Sequence, residues 1–374
     1  MERIKEVLTD SNHDYYIYDL TELKQRINWI RSVTKHDIFY AVKANSNIKI
    51  LETLAPFVSG FEVASTGEIE KVRSISKEIP IIYGGPVKTK QHLEYALDAL
   101  VKSIQVESLF ELDALQALLQ EKQQTIEVMI RINLSNIQSS AKLKMAGVAT
   151  QFGMPYNDLD EAIQICHDTE QITLTGFHFH AMSNNLDEDA HVTFIESALE
   201  FTQQYQSQLP EDYAINVGGG IGIDYEDQTC FDFDYFATRI HHLPRLTFEL
   251  ARFITGPIGY YAAHVYDIKS MHDQTFVLLN GGTNHFRFPK AWQHHQPFEI
   301  IHSHSTSNRI KSITNDTVVL AGKLCTPNDV FGLPYDIESI QTGDWVVFKY
   351  AGSYGYDISH LQFLSHELPV IEYI

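Results

Sequence analysis

From residue 38 to residue 251 the chain repeats one pattern: a short apolar run closed by a polar or glycine-containing end, then a segment with apolar residues at helical spacing. The runs are IFYAV (38–42), GFEVAS (60–65), IPIIYGG (79–85), KSIQVES (102–108), IEVMIRIN (126–133), LTGFHFHAMS (174–183), AINVGGG (214–220) and RLTFELA (245–251). Runs of this length read as buried strands. The segments between them, such as TGEIEKVRSIS, ESLFELDALQALLQ and DEDAHVTFIESALEFTQQY, read as amphipathic helices. Eight strands alternating with helices is the number that closes a parallel β/α barrel. An open doubly wound sheet is the alternative, but eight units fill one barrel without remainder. The expected class is α/β, with a (β/α)8 barrel of the TIM type.

After Tyr260 the texture changes. HVYDIKSM, TFVLLNGG, TVVLAGKL and DWVVFKYAG are short, β-rich and punctuated by turn formers, with little helical periodicity. A chain of 374 residues is also long for one core. The expectation is a barrel over residues 22–262 and a C-terminal all-β domain over 263–374. That domain also takes up residues 1–21, because YYIYDL precedes the helical pattern of 22–33 and reads as an extra strand.

A barrel presents its ligand site at the carboxyl ends of its strands. There the sequence places Lys43 after the first run, Glu62 in the second, Arg131 in the fifth and His180 in the sixth. Gly218, Gly219 and Gly220 follow the seventh, and Glu249 with Arg252 stands at the eighth. Each has a plain reading by itself: a solvated strand-end lysine, a Glu62–Arg131 structural ion pair, a core histidine, a tight turn. Together they compose a chemistry. A lysine in partly apolar surroundings can lose its proton and become a nucleophilic amine. Three glycines let backbone N–H groups approach an anion, at the place where barrels commonly hold phosphate. An imine-forming lysine and a phosphate cradle are what pyridoxal 5'-phosphate needs. Glu249 then has a task, keeping the pyridine nitrogen protonated so that the ring accepts the electron pair released at a substrate α-carbon. His180 can stack on the ring face.

The formal charge of −20, with no basic run or aromatic-interleaved basic stripe, disfavours nucleic acid and anionic membrane as partners. No run of 18 apolar residues offers a bilayer span. The first twenty residues mix both signs of charge without the apolar centre of a signal peptide, so a cytoplasmic location is expected. Cys166, Cys230 and Cys325 are odd in number and far apart, which favours neither a disulfide framework nor a thiolate zinc site. Cys166 and Cys230 read as small buried hydrophobes. The pairs His178/His180, His241/His242 and His302/His304 come without a carboxylate or cysteine at ligand spacing, so no metal is expected.

The set YAVKAN, GFEVASTGEI, FHFHAMS, NVGGGIG, ELAR, GKLCTPNDVF and YAGSYGYD runs in that order along nearly the whole chain. It resembles the type III pyridoxal-phosphate decarboxylases, the group of diaminopimelate and ornithine decarboxylases. The resemblance implies a barrel plus β domain, a head-to-tail homodimer and active sites shared at the subunit interface. It implies that Lys43 carries the cofactor as an imine, that His180 stacks on its ring and that Glu249 faces the pyridine nitrogen. Ser183, Gly218 to Gly220 and Tyr354 match the phosphate binders. Arg252 matches the arginine of the family's E-x-G-R motif, with Ala251 in place of its glycine. Cys325 matches the cysteine that reaches the partner's site and returns a proton to the α-carbon.

Departures from the family pattern bear on the substrate. Diaminopimelate decarboxylases follow that cysteine with a glutamate and ornithine decarboxylases with an aspartate, whereas this chain has Thr326, so a distal ammonium loses its charge partner. Gln151 stands where many relatives have the lysine of KFG. GGTNHFRFPKAWQHH places Arg287 near the family's carboxylate-binding arginine and adds His294 and His295, a donor-rich set suited to a polycarboxylate. Here and in HFHAMSNNLD the chain looks like the siderophore-pathway branch, which implies α-decarboxylation of a citrate amide of a diamino acid, of the citryl-diaminopropionate type. Diaminopimelate decarboxylation is the alternative that Thr326 argues against. Glu249 contradicts an amino-acid racemase, and the retained Lys43, Glu249 and Cys325 contradict a catalytically silent regulatory homologue.

Overall fold

In the computed structural model, which describes residues 1–134, 143–144, 149–226, 230–287, 296–303 and 309–374, the chain divides into two compact units. One comprises Lys24–Ile223 and Cys230–Phe253; the other comprises Met1–Leu23, Asp224–Thr229 and Ile254–Ile374.

The first unit is a closed barrel of eight strands. They are β1 (Asp37–Ala41), β2 (Gly60–Val63), β3 (Ile81–Tyr83), β4 (Ser103–Val106), β5 (Ile126–Ile132), β6 (Ile172–Phe179), β7 (Ala214–Asn216) and β8 (Thr247–Leu250). Every neighbouring pair is parallel, and β8 closes on β1 with Glu249 opposite Phe39. The strands coincide with the eight apolar runs of the sequence. Most are shorter, because polar tails such as Ala64–Ser65 leave the ladder to begin a helix. Caps make those departures abrupt. The side chain of Asn47 accepts from the Lys49 N–H to open helix Ile48–Leu54, and Ser65 and Ser108 do the same for helices Thr66–Ile75 and Leu109–Lys122. Each cap is worth about 1 kcal/mol. In Leu109–Lys122 the leucines at 112, 115, 118 and 119 form the buried stripe, each stabilising the fold by about 2 kcal/mol. Rigid helices thus begin close behind the strand ends, and the polar residues there sit on short, fixed connections.

The second unit is built on a mixed eight-stranded sheet. Strand Tyr15–Tyr18 pairs antiparallel with Gly259–Met271 and parallel with Val370–Tyr373, so the expected N-terminal strand is present. Tyr15, Ile17, Ala262, Trp345 and Val347 form part of its core, with Ile4 from helix Glu2–Val7 packed among them. The expected α/β barrel with a largely β companion is the observed architecture. Strands Phe298–Ile301, Tyr335–Gln341 and Val370–Tyr373 escape the sequence pattern: the first and last are four residues long with Glu299 and Glu372 inside them, and the middle one carries Asp336 and Glu338. Among the described residues no helix is long and apolar enough to cross a membrane.

Candidate active site

Strand β1 ends at Ala41, one residue before the sequence pattern predicts. Val42, Lys43 and Ala44 form a single 3-10 turn whose two apolar residues are buried. Anchored on both sides, Lys43 extends its amine to Glu62, with Nζ 2.8 Å from Oε2. Register brings this about, since Ala41 lies opposite Glu62 on β2 and the turn carries the lysine just beyond. The partners differ in surroundings: the Lys43 side chain is 40% exposed and that of Glu62 only 5%. Burial raises the Glu62 pKa; the lysine's charge opposes this, and the nearby Glu249 carboxylate adds to it.

Glu249, buried on β8, is held from across the barrel. Its Oε1 accepts from the Gln105 amide at 2.6 Å and from the Asn216 amide at 2.8 Å. Gln105 belongs to β4, four strands from β8 in the closed order, so both side chains point into the lumen. Two donors on one oxygen fix the plane of the carboxylate. Neither amide was legible as a site residue, because the partner of Gln105 lies on the far wall and that of Asn216 on the neighbouring strand, 33 residues on in the chain.

His180 follows the last residue of β6 and accepts from the Gly219 N–H at Nδ1, 3.2 Å away. That contact assigns the neutral ring's proton to Nε2. Burial, followed by the charges of Lys43 and Arg131, holds its pKa well below the usual histidine range. His178 has neither ring nitrogen hydrogen-bonded among the described residues, and its Nε2 lies 3.6 Å from Glu249 Oε1. It too is kept neutral, chiefly by burial. Donor atoms of His178, His180 and Glu249 lie within 4.8 Å of one another. The pair therefore does meet a carboxylate, contrary to the spacing in the sequence, because Glu249 arrives from a strand two places round the barrel. Amide N–H groups already sit on His180 Nδ1 and Glu249 Oε1, so the cluster is arranged as an acceptor of hydrogen bonds.

The triple glycine works mainly by close approach. A Cβ on Gly218 would lie 2.5 Å from His180 Nδ1, on Gly219 2.3 Å from the Glu249 carbonyl oxygen, and on Gly220 2.6 Å from the Met182 carbonyl oxygen. Gly218 and Gly220 also take φ of +66° and +102°. As a row of anion donors the turn is narrower than expected. Gly218 donates to Asn216 Oδ1 at 2.9 Å and Gly219 to His180, which leaves the N–H of Gly220 without a partner among the described residues.

Arg131 pairs with Glu107, Nη1 to Oε1 2.9 Å, and lies 4.6 Å over the Phe152 ring. The Glu62–Arg131 pair that the sequence left open does not form, because Lys43 takes Glu62 and the last residue before Ser108 supplies a closer acid. Glu107 Oε2 accepts from the Gly153 N–H at 2.8 Å, so this acid also fixes the chain after Gln151. Ser183 ends a two-residue strand, Met182–Ser183, and Arg252 opens the helical turn Arg252–Thr255, buried.

In the second unit Cys325 is exposed on the turn after strand Ser312–Ala321, with half-buried Thr326 beside it. Arg287 is exposed; its N–H donates to Ser359 Oγ at 3.0 Å, and no carboxylate pairs with its guanidinium among the described residues. Tyr354 takes a left-handed φ of +61°, a conformation rarely adopted by a bulky residue. His294 and His295 lie outside the described residues. Cys166 is buried, and burial pushes its thiol up to about 12, whereas Cys230 is exposed, contrary to expectation, because the inward position beside it belongs to Phe231.

A planar, anionic, aldehyde-bearing cofactor fits the barrel cluster. A lysine amine stands beside a buried acid, a carboxylate is oriented by two amides, a neutral histidine accepts from a glycine turn without side chains, and a second buried histidine has no hydrogen-bond partner among the described residues. Residues 20–253 match the model of the family described as pyridoxal-dependent decarboxylase, pyridoxal binding domain. A Staphylococcus aureus protein named 2-[(L-alanin-3-ylcarbamoyl)methyl]-2-hydroxybutanedioate decarboxylase is 41% identical over 96% of this chain and 94% of its own length. L-glutamyl-[BtrI acyl-carrier protein] decarboxylase of Niallia circulans is 30% identical over 95% of this chain and 87% of its own. The crystal structure of diaminopimelate decarboxylase from Helicobacter pylori, complexed with L-lysine, shares the fold with a TM-score of 0.86 at 24% identity, covering 100% of this chain and 93% of that one. The chain belongs to the pyridoxal-dependent decarboxylases, carboxy-lyases that work with pyridoxal phosphate.

Proposed function

We propose that the chain removes the α-carboxylate from a citrate amide of 2,3-diaminopropionate, the compound in the name of its 41% identical relative, as a step of siderophore biosynthesis. That identity over nearly the full length of both chains carries the reading. Thr326 supports it, since a substrate ending in a citryl group needs no acid for a distal ammonium. Arg287 supports it as well, an exposed guanidinium that no carboxylate of the described residues occupies. With His294 and His295 it is the proposed holder of the citryl carboxylates.

When bound, pyridoxal phosphate supplies an aldehyde for amines and a protonated ring that draws off the electrons of the bond broken at the α-carbon. Lys43 would hold it covalently, Glu249 would face its pyridine nitrogen and His180 its ring. Ser183, Gly218, Gly219, Gly220 and Tyr354 would surround its phosphate, with Arg252, Arg131 and Glu62 lining the same mouth. Glu62, whose pKa burial raises, stands 2.8 Å from the lysine nitrogen and can exchange one proton with it as the amine changes partners. Neutral His180 offers a flat face without competing for that proton. Cys325 would return a proton to the α-carbon.

The active form in this reading is a cytoplasmic homodimer, each site shared between the barrel (22–262) of one subunit and the β domain (1–21 and 263–374) of the other. Purified enzyme given citryl-diaminopropionate and diaminopimelate in parallel tests the substrate. Faster carbon dioxide release from the citrate amide is expected; faster release from diaminopimelate would overturn the assignment.

A further inference from the structure

We propose that Asp329 is a positioning residue that sets the Cys325 turn and the Arg287 loop in register with each other. The inference rests on the roles given above to Cys325 and Arg287. Asp329 is 2% exposed, and no cation pairs with it among the described residues. Its charge is met by three donors instead. Oδ1 accepts from the Thr283 N–H and the Thr283 hydroxyl, both at 2.7 Å, and Oδ2 accepts from the Leu324 N–H at 2.7 Å.

Those donors come from two separate loops. Leu324 immediately precedes Cys325, and Thr283 stands four residues before Arg287. Backbone bonds run the same way: the Gly322 N–H donates to the Asp329 carbonyl at 2.9 Å and the Lys323 N–H to the Gly281 carbonyl at 3.2 Å. Small residues make room for the carboxylate. A Cβ on Gly322 would stand 2.3 Å from Asp329 Oδ2, and one on Gly282 3.2 Å from it. An asparagine in this place would turn an N–H toward either Leu324 or Thr283, setting donor against donor, so the site calls for two acceptor oxygens. A carboxylate buried among neutral N–H donors is costly to assemble and stiff once made. It lies between the proposed proton donor and the proposed carboxylate binder, where stiffness sets the distance between them.

Asp329→Asn in the holoenzyme is the test. Borohydride-fixed cofactor on Lys43 should match wild type by intact mass, while kcat on citryl-diaminopropionate falls about tenfold or more with KM changed less. The alkylation rate of Cys325 by iodoacetamide, followed by peptide mass, should shift at least about threefold. Thr283→Val, which removes one donor and keeps the shape, should show the same pattern at about a third of the kcat loss or less; Thr283→Ser should restore it. Wild-type kcat and Cys325 alkylation in a folded, loaded Asp329→Asn enzyme would overturn the proposal; if that variant does not fold, the same result in Thr283→Val would do so. Should wild-type enzyme leave the citrate amide untouched, the substrate reading fails, and the alkylation comparison alone decides the role of Asp329.

Discussion

Lys43 and Glu62 face each other with unequal surroundings, and the inequality assigns their work: the amine is open enough to react, the acid buried enough to keep a proton within reach. Lys43→Ala should therefore lower decarboxylation by about 10³-fold or more, and the borohydride-fixed mass should disappear with it. His191 makes a different prediction. It is fully buried among Phe194, Phe231 and Phe236 with both ring nitrogens unpartnered among the described residues, and burial lowers its pKa from 6.5 to about 4. Between those values the unfolded chain binds the proton that the folded chain refuses, so stability drains away as pH falls from about 6.5 to about 4, by about 3 kcal/mol in full. Comparing the melting of His191→Leu with wild type at pH 7 and pH 4.5 checks this: the substitution should blunt the loss at acid pH. The placement of Lys43, His180 and Glu249 at strand ends was legible in the sequence from the apolar runs they close, and it was their joint placement that singled them out. Gln105, Asn216 and Asp329 were not legible, because each is defined by a partner far along the chain.

The turn after β7 shows how an element can act without side chains. Gly219 has no positive φ to excuse it, yet a Cβ there would press on the Glu249 carbonyl at 2.3 Å and displace β8. Gly219→Ala should cost about 1–3 kcal/mol of stability, read by thermal melting, and should weaken cofactor binding about tenfold or more, read by titrating the apoenzyme. A variant that melts and loads like wild type would show that the strand yields to the methyl group. The eight barrel strands were readable because each is a run of apolar residues ending where polar ones begin. Strand Val370–Tyr373 was not, since two apolar residues, a glutamate and a tyrosine carry no period.

Lys43 and Cys325 belong to different compact units, and the proposed dimer brings one from each subunit to every site. Mixing Lys43→Ala with Cys325→Ala subunits should then restore activity that neither has alone. Random reassortment makes half of the dimers mixed, each with one intact site, so about a quarter of wild-type activity is expected. Activity that stays at the level of the separate variants would mean that each subunit builds its site from its own residues.

Strand Tyr15–Tyr18 lies between Gly259–Met271 and Val370–Tyr373. A ribosome releases the first of these segments long before the last, so the opening strand stays without its parallel neighbour through nearly all of translation. In the barrel the other neighbouring strands follow one another in sequence and only the closure of β8 on β1 is distant, and that closure is complete by Leu250. A nascent chain arrested ahead of Val370 would hold Lys43 in place while the sheet beside Tyr15–Tyr18 still lacked its parallel edge.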